Sequence, residues 1–110
     1  MQKKYRLRKN WQFQNIINSK KQYISKDLIF YFQKNSSNIK IGISISKKFT
    51  NAFNRNRYRR QTRAAIDIIK PWELKYDVVI ILRKSFLTLS FEEKTNVLSK
   101  MFERLKNGIK

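Results

Sequence analysis

Between Arg55 and Arg63 five arginines fall within nine residues, in the run Arg55-Asn56-Arg57-Tyr58-Arg59-Arg60-Gln61-Thr62-Arg63. Guanidinium groups so close repel one another unless an anion compensates them. Arginine makes planar, bidentate contacts with phosphate, and a row at i, i+4 and i+8 can follow a nucleic-acid backbone. A solvated helix face and a nuclear localisation signal are the plainer readings. Such signals usually lie in exposed tails, whereas core-type residues are threaded through this run. The spacing therefore favours a phosphate-contacting helix.

Other chemistries have little to work with. The chain has no histidine and no cysteine, which excludes a catalytic triad, a zinc site and a thiol nucleophile. Its seven carboxylates lie mostly in the last 44 residues. Glu92 and Glu93 adjoin one another, but neighbours on a helix do not converge on one site, and Glu93 is better explained as half of a helix cap. No catalytic residue is assigned.

The elements that must position the arginines can be read from periodicity. Asn51 to Lys70 is helical, with Thr50 or Asn51 as N-cap and Pro71 as the stop, because the residue before proline avoids the α region. On a wheel of 100° per residue, Arg55, Arg59, Arg63, Asn56 and Arg60 span about 140°, beside an apolar sector of Tyr58, Thr62, Ala65, Ile66 and Ile69. The helix should pack by one face and present guanidinium groups from the other.

Before it, Ile39, Ile41, Ile43 and Ile45 alternate strictly with Lys40, Gly42, Ser44 and Ser46, which predicts a strand. The second face of that strand is small and polar, leaving room for something to lie on the sheet, and Tyr31 could flank it. Leu28 to Gln33 reads as another strand, with an extended piece beginning near Tyr23. Asn10 can cap a short helix carrying Phe13, Ile16 and Ile17 on one face and ending near Ser19. Val78 to Leu82 is a short apolar run that reads as a strand buried on both sides. Ser90 and Glu93 form a capping box for a last helix with Phe91, Leu98, Met101, Phe102 and Leu105 as its stripe. Helices covering a small sheet, α+β or α/β, follow from this order.

Composition agrees. At 110 residues, one domain spanning 1–110 is expected, and 41% hydrophobic residues suffice for a core. The 26 basic and 7 acidic side chains give a net charge of +19, a field that concentrates polyanions. Residues 1–66 hold 17 of the basic groups and a single acidic one, Asp27, so the anion-facing surface should be built there. Without cysteine nothing calls for an oxidising compartment, and no run approaches the roughly 20 apolar residues of a membrane span. A cytoplasmic protein with no membrane association is the expectation.

One arrangement is more specific than charge. Ser44-Ile45-Ser46-Lys47-Lys48, then Asn51-Ala52, then Arg55-Asn56-Arg57, Arg60 and Arg63 resemble the bacterial ribonuclease P protein subunit. The resemblance runs from the Phe13 helix through Asp77-Val78-Val79-Ile80-Ile81-Leu82-Arg83-Lys84 to the final amphipathic helix. It implies an α+β fold, an α-β sandwich of order α-β-β-β-α-β-α. A left-handed βαβ crossover, against the usual hand, would join the Ile41–Ser46 strand, the arginine helix and the Val78 strand.

The same resemblance implies a function. The protein would assist a catalytic RNA subunit in removing the 5′ leader of precursor tRNA, with Mg²⁺ held mainly by the RNA and no obligate protein partner. Lys48, Asn51, Arg55, Asn56, Arg57, Arg59, Arg60 and Arg63 would face the RNA subunit. Phe13, Ile17, Tyr31, Ser44 and Lys47 would line a cleft for the leader. Three residues depart from the family pattern: Ile17 stands where a second aromatic is usual, Thr50 replaces a glycine, and Tyr58 an aliphatic residue. The first weakens one stacking contact; the others are compatible with a helix cap and a packed ring.

Competing classes are weaker. A ribosomal or other structural RNA-binding protein would share the charge and size, and motif spacing alone argues against it. A helix-turn-helix regulator would need a short turn from a preceding helix, where this sequence has strands. A membrane-surface peptide would need the apolar faces that the core uses.

Overall fold

The computed structural model describes residues 1–108. After a single 3-10 turn at Lys3–Tyr5 come α1 (Asn10–Asn18), β1 (Gln22–Ile24), β2 (Leu28–Lys34), β3 (Lys40–Ile45), α2 (Ala52–Ile69), β4 (Tyr76–Leu82), a short α3 (Lys84–Leu87) and α4 (Phe91–Asn107). The strands form one sheet of order β1-β2-β4-β3. β2 runs antiparallel to both β1 and β4, and β3 runs parallel to β4, so α2 is the crossover between two neighbouring strands.

The alternation in the sequence becomes two differently covered faces. Ile41, Ile43 and Ile45 join Phe30, Val78, Ile80 and Leu82 on the face packed by α2 and α4, where Ile66, Leu98 and Phe102 are also buried. The Phe102 ring meets Phe30 edge-on at 4.9 Å. On the opposite face α1 lies alone over β2 and β4, and Ile16 packs with Leu7 and Val79. β4 is thus covered on both sides as its continuous apolar run predicts, although Ile81, packed against the Leu7–Ile16–Val79 cluster, stays half-exposed.

The ends of α2 and α4 follow their sequence signals. Asn51 Oδ1 accepts a hydrogen bond from the Asn54 N–H at 2.9 Å, and Lys70 closes α2 in the left-handed region (φ 56°) just before Pro71. Ser90 and Glu93 exchange their two bonds at 2.9 and 3.1 Å, and Gly108 (φ 65°) ends α4. α1 differs. Asn10 is its first residue rather than its cap, and Gln12 Oε1 instead accepts from the Lys9 N–H at 3.1 Å, so a side chain inside the helix reaches back to do the capping.

The basic leader is part of the fold. The Leu7 N–H donates to Ile41 O at 3.0 Å, Arg6 bridges Ile41 in parallel, and Leu7 is buried. Tyr5 stacks on Trp72 at 4.3 Å, and the Met1 ammonium pairs with Asp67 at 2.8 Å. These contacts lay residues 1–7 along the free edge of β3 and against the far end of α2.

Candidate nucleic-acid interface

α1 on one side and α2 on the other leave a cleft of about 780 Å³ over β3. Its floor is Ile41, Gly42, Ile43 and Ser44, its α1 wall Phe13 and Ile17, its α2 wall Asn56, Arg59, Arg60 and Arg63, with Leu7 and Arg8 of the leader at its end. Gly42 sets how deep Phe13 sits, because a β-carbon there would overlap the Phe13 Cζ and Cε2 atoms. The space that the small-residue strand offers is therefore filled at Gly42 by the Phe13 ring and remains open at Ser44.

The α2 wall is cationic with no internal compensation. Among the described residues none of its arginines forms an ion pair. Arg59 Nη1 donates to Asn56 Oδ1 at 3.1 Å, which holds one guanidinium beside the cleft. Arg63 is held below the usual arginine range by burial first, then by the charges of Arg6 and Arg59. It stays charged at neutral pH, so its environment is one that favours an incoming anion. The Nε atoms of Arg6 and Arg63 are both buried without a hydrogen-bond acceptor among the described residues. Buried donors of this kind are costly to leave unpaired.

Seven of the predicted site residues meet in this cleft: Phe13, Ile17, Ser44, Asn56, Arg59, Arg60 and Arg63. The rest stand around it. Tyr31 is half-buried against the Leu7–Ile16–Val79 cluster, in a row across the sheet in which Tyr31 pairs with Val79 and Val79 with Gly42. Lys47 and Lys48 are exposed in the turn after β3, where the Lys48 N–H donates to Ser46 Oγ at 3.2 Å. Asn51 is occupied as the α2 cap, and Arg55 Nη1 donates to Thr50 O at 2.9 Å, tying that turn to the helix. Arg57 is exposed on the flank towards α4, where its charge acts on Lys94.

A basic wall beside an aromatic-lined trough fits a nucleic-acid strand, but many folds could offer one. A family model described as Ribonuclease P matches residues 1–106, almost the whole chain. The chain belongs to the ribonuclease P protein family. It is 54% identical to the ribonuclease P protein component of Mycoplasmopsis pulmonis over 108 residues, covering 97% of this chain and 96% of that one. The corresponding component of Mycoplasma mobile is 46% identical, at 98% and 96% coverage.

Solved structures agree with the fold. The RNase P protein of Staphylococcus aureus superposes with a TM-score of 0.82 at 28% identity, covering 93% of this chain and 95% of that one. That of Thermotoga maritima gives 0.80 at 26% identity, over 90% and 96%.

Within this member of the ribonuclease P protein family, sequence reasoning missed Arg6 and Arg8. The signal is Leu7, an apolar residue between two arginines in a mostly polar leader, which marks an anchored segment. It also missed a second, shallower cleft of about 520 Å³ where Phe49 and Ile81 are rimmed by Arg83 and Lys84. Those residues belong to separate elements and become neighbours through the pairing of β3 with β4.

Proposed function

We propose that this chain is the protein subunit of ribonuclease P, binding the RNA subunit and the 5′ leader of precursor tRNA so that the leader is removed. The observation that carries the reading is the row of arginines, without carboxylate partners among the described residues, along a cleft whose other wall holds Phe13. Lys48, Asn51, Arg55, Asn56, Arg57, Arg59, Arg60 and Arg63 face the RNA subunit. Phe13, Ile17, Tyr31, Ser44 and Lys47 receive the leader. Stacking on an aromatic side chain tolerates any base, which suits a site that must accept many leader sequences.

The chemistry itself belongs to the RNA subunit. This protein has neither histidine nor cysteine, and among the described residues no three acidic side chains gather where they could hold a metal ion. Mg²⁺ would be held chiefly by the RNA and would supply its chemistry there. The chain's part is positioning and charge: two polyanions must approach, and a net +19 replaces part of the cation atmosphere they would otherwise need. The chain works as one domain in the cytoplasm, without a membrane or an obligate protein partner.

Reconstitution tests this. Purified protein, a bacterial ribonuclease P RNA and a precursor tRNA are combined at low Mg²⁺. Leader removal should require both protein and RNA. Cleavage by protein alone, or no effect of the protein on the Mg²⁺ requirement, overturns the reading.

A further inference from the structure

Phe53 is the most exposed large apolar residue of the described chain, at 73%, and packs against neither hydrophobic cluster. It sits in the first turn of α2. Phe53, Arg57 and Arg60 fall at i, i+4 and i+7, a single stripe along the helix, and both arginines are exposed as well. Arg60 also lines the cleft, so the stripe runs from the cleft wall outwards over the start of the helix. Lys47 and Lys48 are exposed in the turn before it, and residues 28–66 contain no acidic side chain at all.

A bare aromatic ring in a field of one sign selects its partner. An apolar protein patch would pay to desolvate the surrounding cations, and a continuous duplex would offer phosphates but no free base face. A strand with an unstacked base offers both: a flat apolar surface for the ring and phosphates on either side for the guanidinium groups. We propose that Phe53 stacks on an unpaired nucleobase of the RNA subunit, with Arg57 and Arg60 holding the flanking phosphates. This deepens the function proposed above and rests on it: the RNA element met by the outer face of α2 is a junction or bulge, not an uninterrupted helix.

The test compares wild-type protein with Phe53→Ala, Phe53→Leu and Phe53→Tyr for binding to a ribonuclease P RNA transcript across a salt titration. Ala and Leu should each weaken binding about 5- to 150-fold, the range for losing one base–aromatic stack, while Tyr retains it. The slope of log affinity against log salt should not change, since no charge is removed. Thermal unfolding should not shift, since the ring is 73% exposed and belongs to neither hydrophobic cluster among the described residues. Leu binding like wild type, or Ala without effect, overturns the stacking contact alone. Wild-type protein that does not bind the RNA overturns the functional reading and this one with it. Self-association of the wild type in sedimentation, abolished by Phe53→Ala, would assign the ring to a second copy of the chain and overturn the inference.

Discussion

The ring of Phe13 rests on the backbone of Gly42, at a distance no side chain at position 42 would allow. The contact joins α1 to the middle of β3 and fixes the ring at the cleft floor. In Gly42→Ala the new methyl would meet the free end of the Phe13 side chain, which can swing away, so the strand itself need not move. Overpacking and the entropy gained on replacing a strand glycine then oppose each other, and stability should change by no more than about 1 kcal/mol in a denaturant titration. Leader recognition should suffer more: the preference of the reconstituted holoenzyme for precursor over mature tRNA should fall in Gly42→Ala. In Phe13→Ala the further change at Gly42 should then add nothing. Additive effects in the double variant would show that the two residues act separately.

How far the sequence disclosed this site depends on whether the signal is local. The strict alternation from Ile39 to Ile45 and the three- and four-residue spacing of α2 are periodic over many residues, so strand, helix and cationic wall were all legible. The Ser90–Glu93 box and Pro71 marked helix ends by side-chain chemistry alone. The small face of β3 was legible as space, but its occupant was not, since Phe13 comes from a helix about thirty residues earlier. The leader was invisible for a similar reason: Leu7 is one apolar residue among cations, and its partner, the edge of β3, exists only once the sheet has formed. Arg57 belongs to the arginine motif by spacing, yet helical geometry turns it out of the cleft and towards Lys94.

Arg63, on which the charges of Arg6 and Arg59 bear, should make the free protein sensitive to anions. The Nε atoms of Arg6 and Arg63 lack acceptors among the described residues. Wild-type unfolding temperature should rise with sulfate at fixed ionic strength, because an anion that binds only the folded chain stabilises it. Sulfate also acts generally through exclusion from protein surface, so the informative quantity is the difference from Arg63→Met. That variant should be at least as stable as wild type in low salt and should show a smaller sulfate response. Equal responses would place the anion elsewhere.

Arg57→Ala and Arg60→Ala should each weaken RNA-subunit binding by roughly 1–3 kcal/mol, as for a lost charge-assisted hydrogen bond. Each should also flatten the salt dependence by just under one unit of slope, which a packing role would not do. Asn56→Ala removes no charge; it releases the Arg59 guanidinium from its 3.1 Å hydrogen bond to Asn56 Oδ1 and should lower affinity with the slope intact. Filter binding between 50 and 400 mM salt, on the order of the range where counterion release dominates, separates the two kinds of residue.

Lys94 is only 4% exposed, yet among the described residues it has no carboxylate partner. Its Nζ donates to Gln61 Oε1 at 2.9 Å and lies 5.0 Å from the Tyr58 ring centre and 5.7 Å from that of Phe86. Burial, and then the charge of Arg57, lower its pKa from the ordinary 10.5. The unfolded chain therefore holds this proton more tightly, and between the lowered value and 10.5 stability should rise with pH. Below that window both states are protonated and the burden of the buried cation is constant. Lys94→Met should lack the alkaline rise and be no less stable than wild type at neutral pH. Thermal unfolding across pH 7 to about 10.5 for both proteins checks this, and an identical pH profile would count against it.

Tyr31 divides the structural from the functional account most sharply. It is half-buried beside α1 against Leu7, Ile16 and Val79, so removing its ring must cost some packing. It also stands in register with Val79 and, one strand further, with Gly42, in line with the floor on which Phe13 sits. If it helps receive the leader, Tyr31→Ala should lose about 1–3 kcal/mol of binding to precursor tRNA while leaving mature tRNA, which lacks the leader, bound as before. Tyr31→Phe retains both ring and packing and should behave as wild type. The measurement is the ratio of precursor to mature tRNA affinity for the reconstituted holoenzyme, with circular dichroism of the free protein to show that the sheet survives. A ratio that stays constant while both affinities drop would make Tyr31 a support for α1, and the leader would then run along Phe13 and Ser44 without touching it.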